Sequence, residues 1–283
     1  MTMFHIVSRN ETLSTIARRY GVSVADLTRW NNIPNPNLVR VGEKLMVTQT
    51  AVLPAPVTPK PLPNSPFTYR VYTLKYGSRP ARFYIIKFPI QKIKADIIHG
   101  RAIPSRMFKG YTVGINGSFY NPTNFRPYGR HITGGDLKHL TEPASHPAII
   151  TDHWTLDPSF DPWWKLRDRG VKHCFSAYPH LVLDGKVNVG NHSPGLGAAN
   201  PRSAIGRGGD TLILMVVDGR QTHSKGVTMR ELAERMLAEG ATDWACNLDG
   251  GGSSQLFLNG KVVNKPSDLR ERMIAVGVGF KQV

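Results

Sequence analysis

The sequence predicts an α+β protein in two parts: a small strand–helix–helix–strand module joined by a proline-rich linker to a larger α+β domain with a mixed sheet. Three observations predict this arrangement. The proline-rich run VLPAPVTPKPLPNSP at 52–66 favours extended polyproline II, because proline cannot donate ladder hydrogen bonds. Helical periodicity precedes the run. Strand-like alternation and tight-turn dipeptides follow it. We therefore expect a module at 1–50, a linker at 51–66 and a domain at 67–283.

Composition indicates a globular protein with an acidic partner. The chain has 283 residues, of which 40% are hydrophobic and 20% charged, and its formal net charge is +16. Two cysteines exclude a disulfide-stapled scaffold and a four-cysteine zinc site. The positive charge suits nucleic acid or a phosphate-rich envelope. Nucleic acid is the weaker choice, because the basic residues form no dense stripe interleaved with aromatic residues.

The chain carries no sequence signal for a membrane span. Its longest apolar run, Leu212–Val217, is six residues long, which is too short for a transmembrane helix. The first residues lack a basic segment followed by an apolar one, so we expect no ordinary secretory signal. No cofactor or metal is predicted, since the ten histidines lack the i, i+4 spacing of helical zinc ligands.

Two helix signals and two strand-like pieces make up the first unit. An apolar helix face follows the i, i+3, i+4, i+7 spacing at Leu13, Ile16, Ala17 and Tyr20. Gly21 is placed to end this helix. The run Ser23–Asp26 is a capping-box pattern that opens a second helix, which reaches Trp30. Phe4–Val7 and Lys44–Val47 are the flanking strands.

Residues 4–47 resemble a LysM module almost without gaps. The matching positions are Glu11–Leu13, Ile16–Ala17, Tyr20–Val22, Asn31–Asn32 and Val41–Leu45. The resemblance implies binding of N-acetylglucosamine-containing glycans, peptidoglycan or chitin, in a shallow groove beside the first helix and the loop 31–37. The implied contact residues are Asn10, Thr12, Leu13, Asn32, Ile33 and Pro34. The alternative is a small helical cap without a ligand.

The second unit begins with strand-like sequence and contains two hairpin signals. The predicted strands are Phe67–Leu74, Arg82–Phe88, Ala95–His99 and Leu212–Val217. Asp184-Gly185 and Asn259-Gly260 are tight-turn dipeptides, each flanked by strand-like runs. A helix is expected over 228–239, because Thr228 and Glu231 form a capping-box pattern and Gly240 follows the last periodic residue.

Polar and glycine-rich clusters follow the presumed strands. They lie at 114–121, 200–206, 217–226, 247–254 and 264–272. In DGGGSS at 249–254, three successive glycines let the backbone approach a ligand, and their N–H groups can form an anion-binding nest beside Asp249. The alternative is a glycine-rich hairpin turn. Arg202 and Arg220 are natural phosphate partners, because a guanidinium fork matches two phosphate oxygens.

Other catalytic signatures are absent. The sequence has no H-E-x-x-H, Walker A, C-x-x-C or G-x-S-x-G motif. Cys174 and Cys246 have apolar neighbours, which favours buried thiols over a nucleophile and leaves a disulfide between them open. For Trp154, Trp163 and Trp164, packing in the core or in a lid is favoured over stacking on sugar rings.

In their order along the chain, these clusters resemble the phosphodiester glycosidase family over most of 67–283. The resemblance is most specific in 200–206, 216–256 and 262–272. It implies hydrolysis of the bond between C1 of N-acetylglucosamine and a phosphodiester, in one shared cavity. The implied catalytic residues are Asp249, Asp218 and Arg202, with substrate or phosphate contacts from Asn116, Ser118, Arg220, Gly250, Gly251, Gly252, Ser253 and Ser254. Arg202 would hold the phosphate, while the sequence does not decide which aspartate is base or nucleophile.

The two resemblances together predict a cell-wall substrate. A LysM module would concentrate the enzyme on peptidoglycan. Teichoic acid joined to peptidoglycan through an N-acetylglucosamine-1-phosphate diester contains the expected bond, and the positive charge suits such a phosphate-linked polymer. We expect a location at the cell wall or a spore surface, or release by phage lysis. The alternatives are a phage-type peptidoglycan hydrolase and a non-catalytic wall-binding protein.

Overall fold

The computed structural model describes residues 3–20, 22, 24–48, 60–141, 146–159, 161–189 and 197–283. The chain divides into two compact units, Met1–Pro56 and Val57–Val283, at a point inside the proline-rich run. The helix end predicted at Gly21, the capping position predicted at Ser23 and the linker residues 51–59 lie outside the described residues.

The small unit is a βααβ module whose two strands pair antiparallel. Its elements are β1 (Met3–Ile6), α1 (Leu13–Tyr20), α2 (Val24–Asn31) and β2 (Lys44–Thr48). The apolar face of α1 is buried against Leu27, Leu45 and Val47. Asn31 fixes α2 to β2, because its side-chain amide donates to the Met46 carbonyl and its oxygen accepts from the Met46 N–H. The predicted element order is confirmed.

The largest sheet of the second unit has eight strands. In spatial order they are β14 (Lys186–Val187), β13 (His180–Leu183), β17 (Trp244–Asn247), β15 (Arg202–Gly208), β16 (Thr211–Val217), β5 (Arg79–Pro89), β4 (Thr68–Tyr76) and β3 (Lys60–Pro61). β3 lies inside the predicted linker: Lys60 pairs with Tyr69, and the Leu62 N–H donates to the Phe67 carbonyl. Residues 60–66 therefore belong to the sheet edge and not to the spacer that the proline content suggested.

A five-stranded sheet packs against the eight-stranded one. Its strands are, in spatial order, β19 (Lys261–Val262), β18 (Leu256–Leu258), β7 (Val113–Asn116), β20 (Ile274–Gln282) and β6 (Ile93–Ala102). The two sheets share one buried apolar cluster. Within it, the ring centroids of Phe88 on β5 and Phe280 on β20 are 5.0 Å apart. This shared core holds the ends of β7 and β17 in fixed positions relative to each other.

A third sheet of five strands was not identified from the sequence. It consists of β11 (Thr155–Asp157), β10 (Ala148–Ile150), β12 (Cys174–Ser176), β8 (Gly129–Thr133) and β9 (Asp136–Thr141), in that spatial order. Three of these strands have three residues each, so they show no alternation long enough to detect. Trp154, just before β11, is buried in the main core, as the packing interpretation predicts. Trp164 is 49% exposed.

Within the described ranges of the larger unit, α-helices form at α3 (Pro104–Met107), α4 (Trp163–Asp168) and α5 (Met229–Ala238). Leu232 and Met236 of α5 pack on the eight-stranded sheet. The predicted capping box is confirmed, because the Glu231 N–H donates to Thr228 Oγ1 at 3.2 Å and the Thr228 N–H donates to the Glu231 carboxylate at 2.9 Å. The α+β class is confirmed. Among the described residues, no helix is long and apolar enough to cross a bilayer.

Three histidines from separate strands meet where β6 lies beside β8 and β9. The ring centroids of His99, His131 and His139 are 5.2–6.3 Å apart. His131 is fully buried, and its Nε2–H donates to the Tyr128 carbonyl, so its Nδ1 accepts from His99 Nε2 at 3.1 Å. Burial lowers the pKa of His99 to about 4 and that of His131 to about 3. Protonation of either ring therefore opposes folding.

We expect the free energy of unfolding to fall as the pH is lowered from about 6.5 towards 4. In that range the unfolded chain binds more protons than the folded one, so acidification favours unfolding. His99→Gln should flatten this pH dependence by up to about 1.4 kcal/mol per pH unit, measured by chemical denaturation. His153→Gln, at an exposed position, is the matched control. An unchanged slope in His99→Gln would contradict the assignment.

Candidate active site

Antiparallel pairing of β15 with both neighbours brings the predicted polar loops to one edge of the eight-stranded sheet. The first residue of β15 lies beside the last residues of β16 and β17: Arg202 pairs with Val217, and Ala204 pairs with Asn247. The loops that follow β16 and β17 therefore start at the same edge. β7 brings Asn116 to this edge from the second sheet. The Asn116 side-chain amide donates to the backbone carbonyl of Asp249, in the loop after β17, at 2.7 Å.

Asn116 and Ser118 support the loop after β17 from inside the protein. Asn116 is buried, and its side-chain oxygen accepts from the Ser203 hydroxyl at 2.7 Å and from the Gln255 N–H at 3.1 Å. Ser118 is also buried and donates to the Ser176 carbonyl. Both side chains direct their hydrogen bonds into the protein. The structure thus favours a positioning role for them over the substrate contact that the family resemblance implies.

Asp249 stands at the start of the glycine-rich loop 249–254. Its N–H donates to the Gly117 carbonyl at 2.9 Å, and one carboxylate oxygen accepts from the Gly250 N–H at 2.9 Å. The Ser253 hydroxyl is a further partner, and Arg272 attracts the carboxylate at longer range. Burial nevertheless raises the pKa of Asp249 to about 6. A carboxyl group with a pKa near the working pH suits a catalytic role.

Arg202 and Arg220 meet beside the first two glycines of this loop. A Cβ built on Gly250 would lie 3.9 Å from Arg202 Nη1, and one built on Gly251 would lie 3.4 Å from Arg220 Nη1. Burial, and to a smaller extent the charge of Arg220, lowers the pKa of Arg202 to about 10, so Arg202 stays charged at neutral pH. Two adjacent cations repel each other, and an anion bound against both relieves that repulsion. The pair is therefore a phosphate-site candidate.

The glycine-rich loop does not form the predicted nest of N–H groups. Four of its N–H groups donate within the protein: Gly250 to the Asp249 carboxylate, Gly251 to the Pro201 carbonyl, Ser253 to the Gly250 carbonyl and Ser254 to the Gly251 carbonyl. The cause is a short 3-10 turn, Gly251–Ser253, that folds the loop back on itself. Gly252 serves close packing, since a Cβ there would lie 2.6 Å from Asp268 and Arg272 atoms.

Asp218 is held by an unusually complete set of donors. Its carboxylate accepts from the Tyr84 hydroxyl at 2.9 Å, His223 Nε2 at 2.9 Å, the Asn264 amide at 3.1 Å and the Lys265 N–H at 3.0 Å. These bonds use about four lone-pair sites, the full capacity of a carboxylate. The structure therefore favours a positioning role for Asp218 over the base or nucleophile role that the resemblance implies.

His223 is a candidate functional residue that sequence reasoning missed. Because Asp218 accepts its Nε2–H, the other ring nitrogen, Nδ1, carries the lone pair of the neutral ring and can take a proton. The ring is partly exposed, in the same loop as Arg220. The sequence signal was a histidine five residues after an aspartate in a polar loop, which does not by itself predict a contact.

A glycine allows the loop after β16 to lie against the residues before β15. A Cβ on Gly219 would lie 2.5 Å from the Pro201 nitrogen. The next residue, Arg220, has a φ of +60°, and its guanidinium donates to Asn200 Oδ1 at 3.0 Å. Since Pro201 directly precedes Arg202, this close approach brings the two arginines together.

Two further side chains belong to the surroundings of the glycine-rich loop: Tyr120, which sequence reasoning did not identify, and Ser254, which it gave as a substrate contact. The Tyr120 hydroxyl donates to the Met273 carbonyl at 3.0 Å. The Ser254 hydroxyl is buried and has no hydrogen-bond partner in the described part of the chain. Ser254 therefore presents an unused donor in the glycine-rich loop.

The glycan contacts implied for the small unit fall into three groups. Asn32, Ile33 and Pro34 line one cleft of about 720 Å³. Asn10 and Thr12 are exposed but are not among its lining residues. Leu13 is buried in the core, because it is the first apolar position of α1, so its side chain is not available to a glycan. The contact implied for Leu13 therefore stays a prediction for its backbone atoms only.

The described histidine, cysteine and carboxylate side chains form neither a metal site nor a disulfide. Across the described ranges, no group of three or more histidine, cysteine, aspartate or glutamate side chains is arranged to hold a metal ion. Cys174 and Cys246 are buried free thiols and form no disulfide. Burial raises the pKa of both thiols, to about 12 for Cys174, which is the opposite of what a nucleophile requires.

Comparisons with known proteins identify two domain families along the chain. Residues 109–281 match the phosphodiester glycosidase family, and residues 5–48 match the LysM domain. The chain is 36% identical over 198 residues to the N-acetylglucosamine-1-phosphodiester alpha-N-acetylglucosaminidase of Mus musculus, covering 63% of this chain and 37% of that protein. It is 45% identical over 60 residues to the N-acetylmuramoyl-L-alanine amidase XlyA of Bacillus subtilis (strain 168), covering 21% of this chain and 20% of that protein.

The fold has a close counterpart among solved structures. The catalytic domain of zebrafish N-acetylglucosamine-1-phosphodiester alpha-N-acetylglucosaminidase, auto-inhibited by its pro-peptide, superposes with a TM-score of 0.61 at 20% identity, over 77% of this chain and 84% of that one. The two family matches define a class: proteins that combine a LysM domain with a phosphodiester glycosidase domain. More specifically, the chain belongs to the phosphodiester glycosidase family, which matches more than half of it.

The raised pKa of Asp249 predicts a stability signature. Ionised Asp249 disfavours the folded state at pH values above about 6, and this penalty is absent below about 4, where the carboxyl is protonated in both states. Asp249→Asn should therefore raise the melting temperature relative to wild type at pH 8, with a smaller gain at pH 4, measured by thermal unfolding. Asp136→Asn, at a 79% exposed side chain, is the control. A variant that is equally destabilised at both pH values would contradict this.

Proposed function

We propose that the larger unit hydrolyses the bond between C1 of an N-acetylglucosaminyl residue and a phosphodiester. The observation that carries the proposal is that Asp249 begins the glycine-rich turn whose next two residues, Gly250 and Gly251, lie against Arg202 and Arg220. Such a reaction separates an oxocarbenium-like sugar from a phosphate anion. It therefore needs a carboxylate at C1 and cations at the phosphate, within the length of one glycosidic bond.

The arginine pair serves the leaving group. A phosphate monoester is stable as an anion, so its departure requires charge stabilisation more than protonation. Internal hydrogen bonds already hold both guanidinium groups, Arg202 to the Val227 and Ala198 carbonyls and Arg220 to Asn200 Oδ1, so the pair attracts phosphate through its fixed positive charge. Because negative charge on the phosphate grows as the C1–O bond breaks, their attraction is stronger in the transition state than in the bound substrate. This is the condition for a contribution to rate.

Asp249 serves the sugar. Its pKa of about 6 means that it is largely ionised at neutral pH yet basic enough to accept a proton. We assign it as the general base: the oxygen of a water molecule bonds to C1, the water proton goes to Asp249, and the C1–O bond to the phosphate breaks. Asp218 has a positioning role: it accepts a hydrogen bond from His223 and so holds the loop that carries Arg220.

The small unit supplies targeting in this proposal. LysM domains indicate binding of peptidoglycan or related N-acetylglucosamine glycans. Tethering the hydrolase to such a glycan raises its effective concentration on the wall. The net charge of +16 favours a phosphate-rich polymer. The linkage between teichoic acid and peptidoglycan combines these properties, and we propose it as the natural substrate.

The proposal predicts release of free N-acetylglucosamine from a small N-acetylglucosamine-1-phosphodiester by the full chain. Arg220→Ala and Asp249→Asn should each lower kcat/KM by about 100-fold or more, since each removes a group that stabilises transition-state charge. The measurement is product analysis with steady-state kinetics, with folding checked by circular dichroism.

Matched controls are Arg230→Ala on α5 and Asp136→Asn on β9, which remove the same groups away from the site. The controls should keep wild-type rates. Release of muropeptides in place of the sugar and a phosphate monoester would support the peptidoglycan-hydrolase alternative. A near-normal rate in Asp249→Asn would refute its assigned role.

The proposed glycan binding by the small unit predicts that changes in its cleft weaken peptidoglycan binding. The double variant Asn32→Ala/Pro34→Ala should weaken binding of the full chain to insoluble peptidoglycan by about tenfold, because both residues line the cleft of the small unit. Arg18→Ala, at an exposed position on α1 outside that cleft, should bind as wild type does. Co-sedimentation measures both. Equal binding by all three proteins would exclude this cleft as the glycan site.

A further inference from the structure

A second cleft adjoins the glycine-rich loop, and the reaction proposed above leaves it unused. Its volume of about 500 Å³ lies within the range of about 300–1,000 Å³ that is typical of small-molecule sites. We call it the Tyr120 cleft. Its lining includes Ile103, Tyr120, Phe125, Arg270, Arg272 and Met273.

The Tyr120 cleft adjoins the glycine-rich loop at Gly252. Asp268 and Arg272 line the cleft, and a Cβ built on Gly252 would lie 2.6 Å from atoms of both. The Arg202–Arg220 pair lies against the two preceding glycines, Gly250 and Gly251. The arginine pair and the cleft therefore lie on one short turn, so a polymer bound at the pair can extend into the cleft.

An aromatic pair forms part of the cleft wall. The rings of Tyr120 and Phe125 are stacked, with centroids 5.1 Å apart and an interplanar angle of 25°. Phe125 has a φ of +58°, which aromatic residues rarely adopt. Its N–H donates to the Asn121 carbonyl at 2.8 Å, which holds the loop in this conformation. Strained backbone of this kind is typical of ligand-binding loops, and aromatic faces pack well against the C–H face of a sugar ring.

The cleft has a positive rim. Its two acids are already paired, since Asp268 bonds Arg272 at 2.6 Å and Glu271 accepts from a backbone N–H of α3 at 2.8 Å. Arg270 is exposed. Arg101 lies with its guanidinium 4.5 Å from the centroid of the Phe125 ring. Two exposed cations beside an aromatic surface favour a carbohydrate that carries negative charge.

We propose that the Tyr120 cleft binds the neighbouring unit of an anionic glycan whose phosphodiester occupies the arginine pair. The aromatic pair contacts that sugar, and Arg101 and Arg270 contact its phosphate groups. The inference rests on the proposed function and adds the substrate class: a phosphate-bearing polymer that is cut inside the chain, not a single terminal sugar.

The test compares two substrates with the full chain. One is a small diester with a single N-acetylglucosaminyl residue, and the other is a soluble polymer of sugar–phosphate repeats ending in the same linkage. In Arg101→Gln/Arg270→Gln, the ratio of kcat/KM for the polymer to that for the small diester should fall at least tenfold, mainly through KM. Lys186→Gln, which removes an exposed positive charge on β14, should leave the ratio unchanged. A ratio unchanged in the double variant would overturn the inference while the proposed function stands.

Binding by an inactive form separates the two proposals. Asp249→Asn in the full chain should bind the polymer, and adding Arg101→Gln/Arg270→Gln should weaken that binding at least tenfold, measured by calorimetry. Inorganic polyphosphate is the charge control and should bind more weakly than the polymer, because it offers no sugar to the aromatic pair. Equal binding of polyphosphate and polymer would overturn a glycan site. If the polymer binds but no substrate is hydrolysed by wild type, the proposed function fails and the cleft assignment survives.

Discussion

The site depends on the register of β15 between its two antiparallel neighbours. Alternation along this strand sends Ala204 into the core under α5 and Ile205 into the core shared with the second sheet. Arg202 shares the face of Ala204, and Ser203 points the other way, where its hydroxyl reaches Asn116. A slip of one residue would exchange these faces and separate Arg202 from the glycine-rich loop. Two apolar cores on opposite faces thus fix the position of Arg202, which the proposed reaction uses.

Burial acts on both charged partners of the proposed reaction, in opposite pKa directions. It raises the pKa of Asp249 and lowers that of Arg202, so in each case the charged form is disfavoured in the free protein. Water that would solvate these charges has been replaced by fixed protein dipoles such as the Gly250 N–H. A substrate with a developing cation at C1 and an anion at phosphorus restores favourable partners to both. Burying these two charges costs free energy, and binding of the transition state recovers it. The burial penalty therefore contributes to the complementarity of the site to the transition state.

Local patterns predicted local structure well. The apolar face of α1 and the Thr228–Glu231 capping box follow from spacing alone, since a helix sets which residues are neighbours. The nest interpretation of the glycine-rich loop was wrong because a local 3-10 turn directs most of its N–H groups to acceptors within the loop, and successive glycines fit a nest and a tight turn equally well. The roles of Asp218 and His223 were not predicted, because the other donors that saturate Asp218 come from two distant segments, Tyr84 and 264–265, which no local pattern reveals.

Both parts of the chain are basic in proportion to their length, so charge alone does not distinguish their roles in recognition. The first 66 residues carry 7 basic and 3 acidic side chains, a net +4, which leaves 16 − 4 = +12 for the rest. Electrostatic attraction is screened beyond about 8–10 Å at physiological salt, so it orients a polyanion near the surface but does not locate it from afar. A module that binds neutral sugar supplies location without regard to salt. In the proposed function the larger unit then selects, among the polymers within reach, those that carry phosphate, and the two selections multiply because one chain makes both.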